Sequence, residues 1–389
     1  MRLTAGQRSA AAIAAATVLN LPFGTLYAFS VLLKPLEALL AVGRAETSLV
    51  FALATITLTI GMNLAPRLYG AVPPAALTLA CGACSAGGLL LCASASALWQ
   101  FALGYGVLFG LGAGVGFILV QQGVNQTVKA RIGLANGYVV SLFPLGAMLG
   151  APFFGWAVAD FGLRALLAGL ALTVLAACAI AAALLGLAVI RMHDGGAEAA
   201  GVHGMRWPLF LRLGTVFFLA ATAGLMVMSQ AAGIILAYGG TTALALGATS
   251  GITGAVAAAR LAGGWLVDHF SVPRVAAAAH LWSLAGAIAL TLWAGPLAAL
   301  PALAMIGMGY GFISGLTAAA IAQYWPKNSF GLIASRLYIA WCAAAIGLPV
   351  VAGLLYDRTQ GYGGAVLIAA GVNVLGALLA LGLPPRSRR

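Results

Sequence analysis

Apolar stretches of about twenty residues, each closed by a short cluster of glycine, proline or charged positions, recur along the whole chain. A helix needs roughly 20 apolar residues to cross the hydrocarbon core of a bilayer. Twelve stretches reach that length, at 9–33, 46–66, 73–95, 98–122, 133–157, 164–190, 208–236, 243–266, 274–294, 298–322, 331–354 and 363–383. Lipid offers no partner to a backbone N–H or C=O, so each stretch is predicted to be a helix that satisfies its own backbone. Neighbouring stretches often meet at a short turn, which leaves single boundaries open by a few residues.

One interruption is longer than the others. Residues 191–206, RMHDGGAEAAGVHGMR, are rich in Gly and Ala and carry charges of both signs near the middle of the chain. The composition reads as a flexible linker, with an ordinary loop inside one bundle as the alternative. It divides the chain into an N-terminal six-helix bundle at 1–190 and a C-terminal one at 207–389. A repeat supports the division. GAGVGF at 112–117 matches GMGYGF at 307–312, and Pro152, Gly155 and Asp160 match Pro349, Gly353 and Asp357 at nearly the same offset. The expected fold class is therefore all-α, with twelve transmembrane helices in two bundles related by a pseudo-two-fold axis along the membrane normal.

Composition sharpens this. The 389 residues are 63% hydrophobic and 7% charged, with a mean hydropathy of +1.06; a soluble domain carries about 25% charged residues. No water-facing surface can be built from such a chain. The net charge of +12 does not point to nucleic acid, because the basic residues stand singly between apolar spans. They read as topology signals. With the N-terminus in the cytoplasm, Arg2, Arg8, Arg67, Lys129, Arg131, Arg191, Arg206, Arg274, Lys327, Arg386, Arg388 and Arg389 fall inside, and Lys34, Arg44, Arg164 and Arg358 outside. Both termini are then cytoplasmic, and a bacterial inner membrane is the expected location. The first apolar stretch runs on to about Leu40 and reads as a retained span rather than a cleaved leader. Cys81 and Cys84 form a CxxC without a second pair or a nearby histidine, so all five cysteines read as packing residues and no metal is expected.

Motifs for chemistry are few. GAGVGF lacks the preceding strand and following acid of a dinucleotide fingerprint, and its glycines suit close helix packing. Catalytic triads, HExxH, Walker A and EF-hand patterns do not stand out. No enzyme, catalytic residue or cofactor is predicted.

The notable residue is Arg260, within the apolar run 253–267. An arginine at bilayer depth costs on the order of 3 kcal/mol on insertion scales, and such residues usually face a cavity or a partner. Its helical neighbours Thr253, Val256, Ala257, Gly263 and Gly264 are mostly small and are expected to leave room beside it. The functional reading is a guanidinium binding an anion through paired hydrogen bonds; the alternative is snorkelling or pairing with Asp268, about 12 Å away along the axis. Arg336 and Arg212 lie nearer cytoplasmic helix ends, where snorkelling is the default. The seven carboxylates all fall in loops or at span ends, which weakens a proton relay through an embedded acid. Tyr27, Gln121, Gln122, Tyr310, Tyr338 and Trp341 are the polar and aromatic candidates to complete a binding cavity, with packing as the alternative for each.

Three patches carry a family resemblance: GTLYAFSVLLKPL at 24–36; Arg260 through Asp268; and Lys327-Asn328, Phe330-Gly331-Leu332, Ala340-Trp341, Ala352-Gly353 and Tyr356-Asp357. In these the chain resembles the oxalate/formate antiporter family, near the monocarboxylate porters of the major facilitator superfamily. The resemblance implies alternating access between two halves, carboxylate binding by Arg260, and cavity roles for Tyr27 and position 341. It departs in three places. Trp341 stands at or next to the lysine of the oxalate branch, Val256 stands where proton-coupled monocarboxylate carriers have an aspartate, and the loop 66–74 lacks the usual acid. The equivalent loop in the second half keeps Asp268 and Arg274, predicted as a gating pair.

The expectation is a monomeric carrier, embedded in the lipid bilayer, for a small organic anion of monocarboxylate type. It binds substrate through Arg260, Tyr27, Gln121, Trp341, Tyr338 and Tyr310. Two alternatives stay open: an exporter of a neutral or amphipathic compound with Arg260 structural, and a membrane sensor or assembly factor that moves nothing.

Overall fold

The computed structural model describes residues 4–188, 190, 206–293 and 295–385. All regular structure in it is helical. Helix α1 (Ala5–Gly24) runs on as a 3-10 segment (Thr25–Val31) and is followed by a short helix (Leu33–Leu40). Then come α2 (Arg44–Leu68) and α3 (Pro74–Ala93). Helix α4 is assembled from Leu98–Phe101, a π-helical stretch Ala102–Phe109 and Gly110–Thr127. The run Ile132–Leu187 is broken at Gly162, where φ 84° and ψ 165° take the backbone into a region open to glycine. The break makes two spans, α5 (132–161) and α6 (163–187). The second half holds α7 (Trp207–Ala237), α8 (Thr242–His269), α9 (Val272–Leu292), α10 (Pro296–Tyr324), α11 (Phe330–Thr359) and α12 (Gly363–Leu381). Among the described residues, eleven helical runs are long and apolar enough to cross a membrane; division at Gly162 gives the twelve spans predicted.

The starts of these helices follow from local chemistry. Thr4 and Gln7 cap α1 reciprocally, through Gln7 N–H to Thr4 Oγ1 at 3.3 Å and Thr4 N–H to Gln7 Oε1 at 2.9 Å. That is why α1 begins at Ala5, ahead of the apolar stretch. Proline opens α3, α7, α9 and α10 within the first two positions, where its missing N–H costs nothing. The linker predicted at 191–206 lies outside the described residues except for Arg206.

The chain packs as two compact units that do not follow the midpoint of the sequence strictly. Unit 1 holds the described residues of 1–130, 142–204 and 326–338; unit 2 holds those of 131–141, 205–325 and 339–389. Helices α5 and α11 are thus each shared, with the first ten or so residues in one unit and the remainder in the other. Within unit 1, α4 packs against α1, α2 and α3; within unit 2, α10 packs against α7, α8 and α9. The repeated glycine motif explains both. A Cβ on Gly114 would stand 2.0 Å from the Leu58 carbonyl oxygen, and one on Gly311 would stand 2.7 Å from that of Val256. Backbones approach there because nothing lies between them, so the motif is a packing device and holds no nucleotide fingerprint.

Candidate functional site

Arg260 is 4% exposed on α8 in unit 2. Its Nη1 donates to the Val140 carbonyl oxygen at 2.8 Å, and its Nη2 donates to the Tyr310 hydroxyl at 2.8 Å. The guanidinium carbon lies 5.2 Å from the Tyr310 ring centroid, within cation–π range. From α11, the Trp341 indole Nε1–H donates to the same hydroxyl at 2.8 Å. Tyr310 and Trp341 are 1% and 3% exposed, so these bonds form away from solvent and lose little to competition from water. Three of the six predicted substrate-binding residues therefore meet in one hydrogen-bonded chain.

The chemistry of that chain follows from counting hydrogens. A phenol oxygen can accept two hydrogen bonds and donate one. Arg260 and Trp341 occupy both acceptor positions of Tyr310. Its single O–H hydrogen is left as a donor, next to a guanidinium. The assembly presents positive charge and an O–H donor together, and an anionic oxygen suits that pair.

Two of the small neighbours of Arg260 bring other helices close: a Cβ on Gly263 would stand 2.2 Å from the Phe312 carbonyl oxygen on α10, and one on Gly264 would stand 2.2 Å from that of Gly133 on α5. Small residues on α8 serve close helix approach, a use that spacing along one helix cannot distinguish from a cavity.

Asp268 accepts from the backbone N–H groups of Gly133 and Leu134, each at 2.9 Å. A carboxylate thereby caps the N-terminus of α5, where the helix dipole favours negative charge. Arg274, the other half of the predicted gating pair, is exposed on the first turn of α9 and lines a groove of about 480 Å³ with Leu266, Phe270, Trp282 and Phe312. Residues Arg260, Gly264 and Asp268 are spaced by four and share a face of α8; Gly133, Gly137 and Val140 share a face of α5. The two faces form one seam, pinned at one end by a carboxylate and at the other by a guanidinium.

The remaining predicted residues lie in unit 1. Tyr27 packs edge-on against Phe143 (centroids 5.8 Å apart), Phe143 against Phe117 (5.0 Å), and Phe117 against Tyr338 (5.5 Å). Gln121, one turn from Phe117, is fully buried and neither atom of its amide has a protein partner. Asn20 on α1 is in the same condition; the prediction omitted it, although an asparagine in an apolar run two turns before Tyr27 was a visible signal. Gln122 holds the start of α11. Its Oε1 accepts from Gly331 N–H at 2.7 Å and its Nε2 donates to the Lys327 carbonyl at 2.9 Å. A neutral amide from α4 thus satisfies the start of α11, although the loop at 66–74 carries no acid. Arg212 reaches the Gly382 carbonyl at a helix end. His280 is buried against Asn373, its Nδ1 2.9 Å from Oδ1, between α9 and α12. The described residues contain no cluster of potential metal ligands.

Comparison with known proteins agrees with this architecture. The chain is 26% identical over 377 residues to "Monocarboxylate transporter 13" of Bos taurus, covering 94% of this chain and 86% of the relative. It is 25% identical over 380 residues to the protein of the same name from Rattus norvegicus, with the same coverage. Among solved structures, FucP, described as a major facilitator transporter in the outward conformation, superposes with a TM-score of 0.69 at 17% identity, over 97% of this chain and 99% of that one. The proton:xylose symporter XylE superposes with a TM-score of 0.68 at 15% identity, over 98% and 97%. These two likenesses concern the fold. The sequence profile of the Major Facilitator Superfamily matches residues 13–346, and the chain belongs to that superfamily of membrane transporters.

Proposed function

We propose that this transporter moves a small organic anion with a single carboxylate by alternating access, with Arg260 binding the carboxylate and Tyr310 donating its hydroxyl to it. The observation that carries the reading is the buried chain Arg260–Tyr310–Trp341. Neither Val140 nor Tyr310 brings a negative charge to the guanidinium, so the charge is held in place without being cancelled by those two partners. Trp341 adds a neutral donor at or next to the position where the oxalate branch has a lysine. One fixed cation suits one carboxylate better than two. Relatives named as monocarboxylate transporters fit the same substrate class.

The test is counterflow of short carboxylates in proteoliposomes. Arg260→Gln, folded as judged by thermal unfolding, is expected to lose at least a hundredfold in uptake. Normal uptake by that variant overturns the proposal. The bonds to Val140 and Tyr310 also suit a purely structural arginine, the role it has in an exporter of neutral compounds. Ligand-induced thermal stabilisation separates the two readings: carboxylates stabilise the wild type but not Arg260→Gln if Arg260 binds the anion, and stabilise neither if it is structural.

A further inference from the structure

We infer that Pro144 is a positioning residue for the anion site: it frees the carbonyl on which the Arg260 guanidinium is docked. The proposal rests on the reading of Arg260 as the anion anchor. It begins with the helix ladder. In an α-helix each C=O accepts the N–H four residues ahead. Position 144 in α5 is proline, which has no N–H. The carbonyl of Val140 therefore lacks the i+4 N–H that a regular helix would give it. Val140 is fully buried, and a buried carbonyl without a partner is costly.

Arg260 supplies that partner, with Nη1 at 2.8 Å. The approach is possible because α5 and α8 touch there through backbone alone. A Cβ on Gly137 would stand 2.7 Å from the Arg260 carbonyl oxygen. Sequence thus places three things in register: a glycine that admits α8, a proline four residues beyond Val140, and an arginine on the facing helix.

The geometric consequence is orientation. A guanidinium is planar, so two bonds to separate nitrogens set its plane and the direction of its other N–H groups. The Val140 carbonyl fixes Nη1 and the Tyr310 hydroxyl fixes Nη2. Without the first bond Nη1 loses its fixed acceptor and the guanidinium plane is less firmly set. A carboxylate must then bind a group that has to be ordered first, which weakens binding more than it slows the later steps of the cycle.

Pro144→Ala restores an N–H that competes for the Val140 carbonyl. In proteoliposome counterflow it is expected to raise KM for a carboxylate about tenfold while kcat stays within about twofold. Pro152→Ala is the control, since it makes the same chemical change eight residues further along the same helix and frees no carbonyl bonded to Arg260; its KM is expected to match the wild type. If Pro144→Ala does not fold, Pro144→Leu restores the same N–H with more bulk. An unchanged KM in the folded 144 variant overturns the proposal, as does an equal rise in Pro152→Ala, which makes the effect one of helix stiffness. Arg260→Gln is measured alongside. Normal transport by that variant refutes the anchor role itself, whereas loss in Arg260→Gln with an unchanged KM in Pro144→Ala refutes only the positioning role.

Discussion

A guanidinium moved to bilayer depth costs on the order of 3 kcal/mol on insertion scales, and Arg260 offsets part of this through two neutral oxygens. Tyr310 is the hinge of the arrangement because two donors from two other helices converge on one oxygen. Tyr310→Phe deletes that oxygen and leaves the Trp341 N–H and one Arg260 N–H without it. A buried donor left unsatisfied costs about 1–3 kcal/mol. The variant is expected to unfold several degrees lower and to bind carboxylates roughly tenfold more weakly, consistent with the loss of a charge-assisted network. Thermal unfolding with and without ligand measures both, and wild-type values in the two readouts would remove Tyr310 from the site. Trp341→Phe removes a donor but leaves the acceptor, so its loss of stability is expected to be smaller, about 1 kcal/mol.

At the scale of elements, the seam between the start of α5 and the end of α8 holds the site together. It combines a carboxylate cap, close glycine contacts and the Arg260–Val140 bond. Gly264→Ala puts a methyl group against the Gly133 backbone, 2.2 Å from its carbonyl oxygen. No side-chain rotation relieves a clash with backbone, so the helices must separate, at a typical overpacking cost of about 1–3 kcal/mol. Asp268→Asn keeps an acceptor but loses the charge at the helix N-terminus, expected to cost about 0.5–1 kcal/mol. Hydrogen exchange over 132–141 reads both variants. Faster exchange confined to that stretch is the expected result; protection equal to wild type would show that the seam does not hold α5. The counterpart at α11 uses the neutral Gln122, so added salt should weaken the α5 cap and leave the α11 cap unaffected.

For the whole molecule, the asymmetry of basic residues predicts a topology that can be checked directly. Arg67, Lys129, Arg131, Arg206, Arg274 and Lys327 lie in or beside the connections assigned to the cytoplasm. A fluorescent protein fused to the C-terminus is expected to fluoresce in a bacterial host, and alkaline phosphatase fused in the α7–α8 connection near Gly239 is expected to be active. The reverse pattern would invert the assignment. We further propose that 1–190 and 207–389 are separately inserted halves. Co-expression of the two pieces, cut within 191–206, is expected to restore counterflow, and failure with both pieces present would show that the covalent link is needed. Membership of a transporter superfamily places the chain among carriers and not among enzymes, which leaves substrate class as the question at this scale.

Much of this was written in one dimension. Spans of apolar residues, their number, the helix starts at prolines and the paired glycine motifs depend on local backbone chemistry and on the thickness of a bilayer, both of which can be read along a chain. Arg260 also stood out locally, because a charge in an apolar run is costly wherever that run packs. Its partners could not be read in the same way. Val140 is 120 residues away and Tyr310 is 50, and a backbone carbonyl gives no signal of its own unless the proline four residues on is noticed. The small residues beside Arg260 suggested room for a ligand, and two of them, Gly263 and Gly264, also admit α10 and α5, a use that spacing along one helix does not reveal. The shared membership of α5 and α11 in two units was equally hidden, because their apolar patterns run on without a break. Sequence alone determined that the chain is a twelve-span membrane protein with one exceptional charge. Tertiary structure decided which oxygens hold that charge, because hydrogen bonds between distant segments depend on how close the helices come.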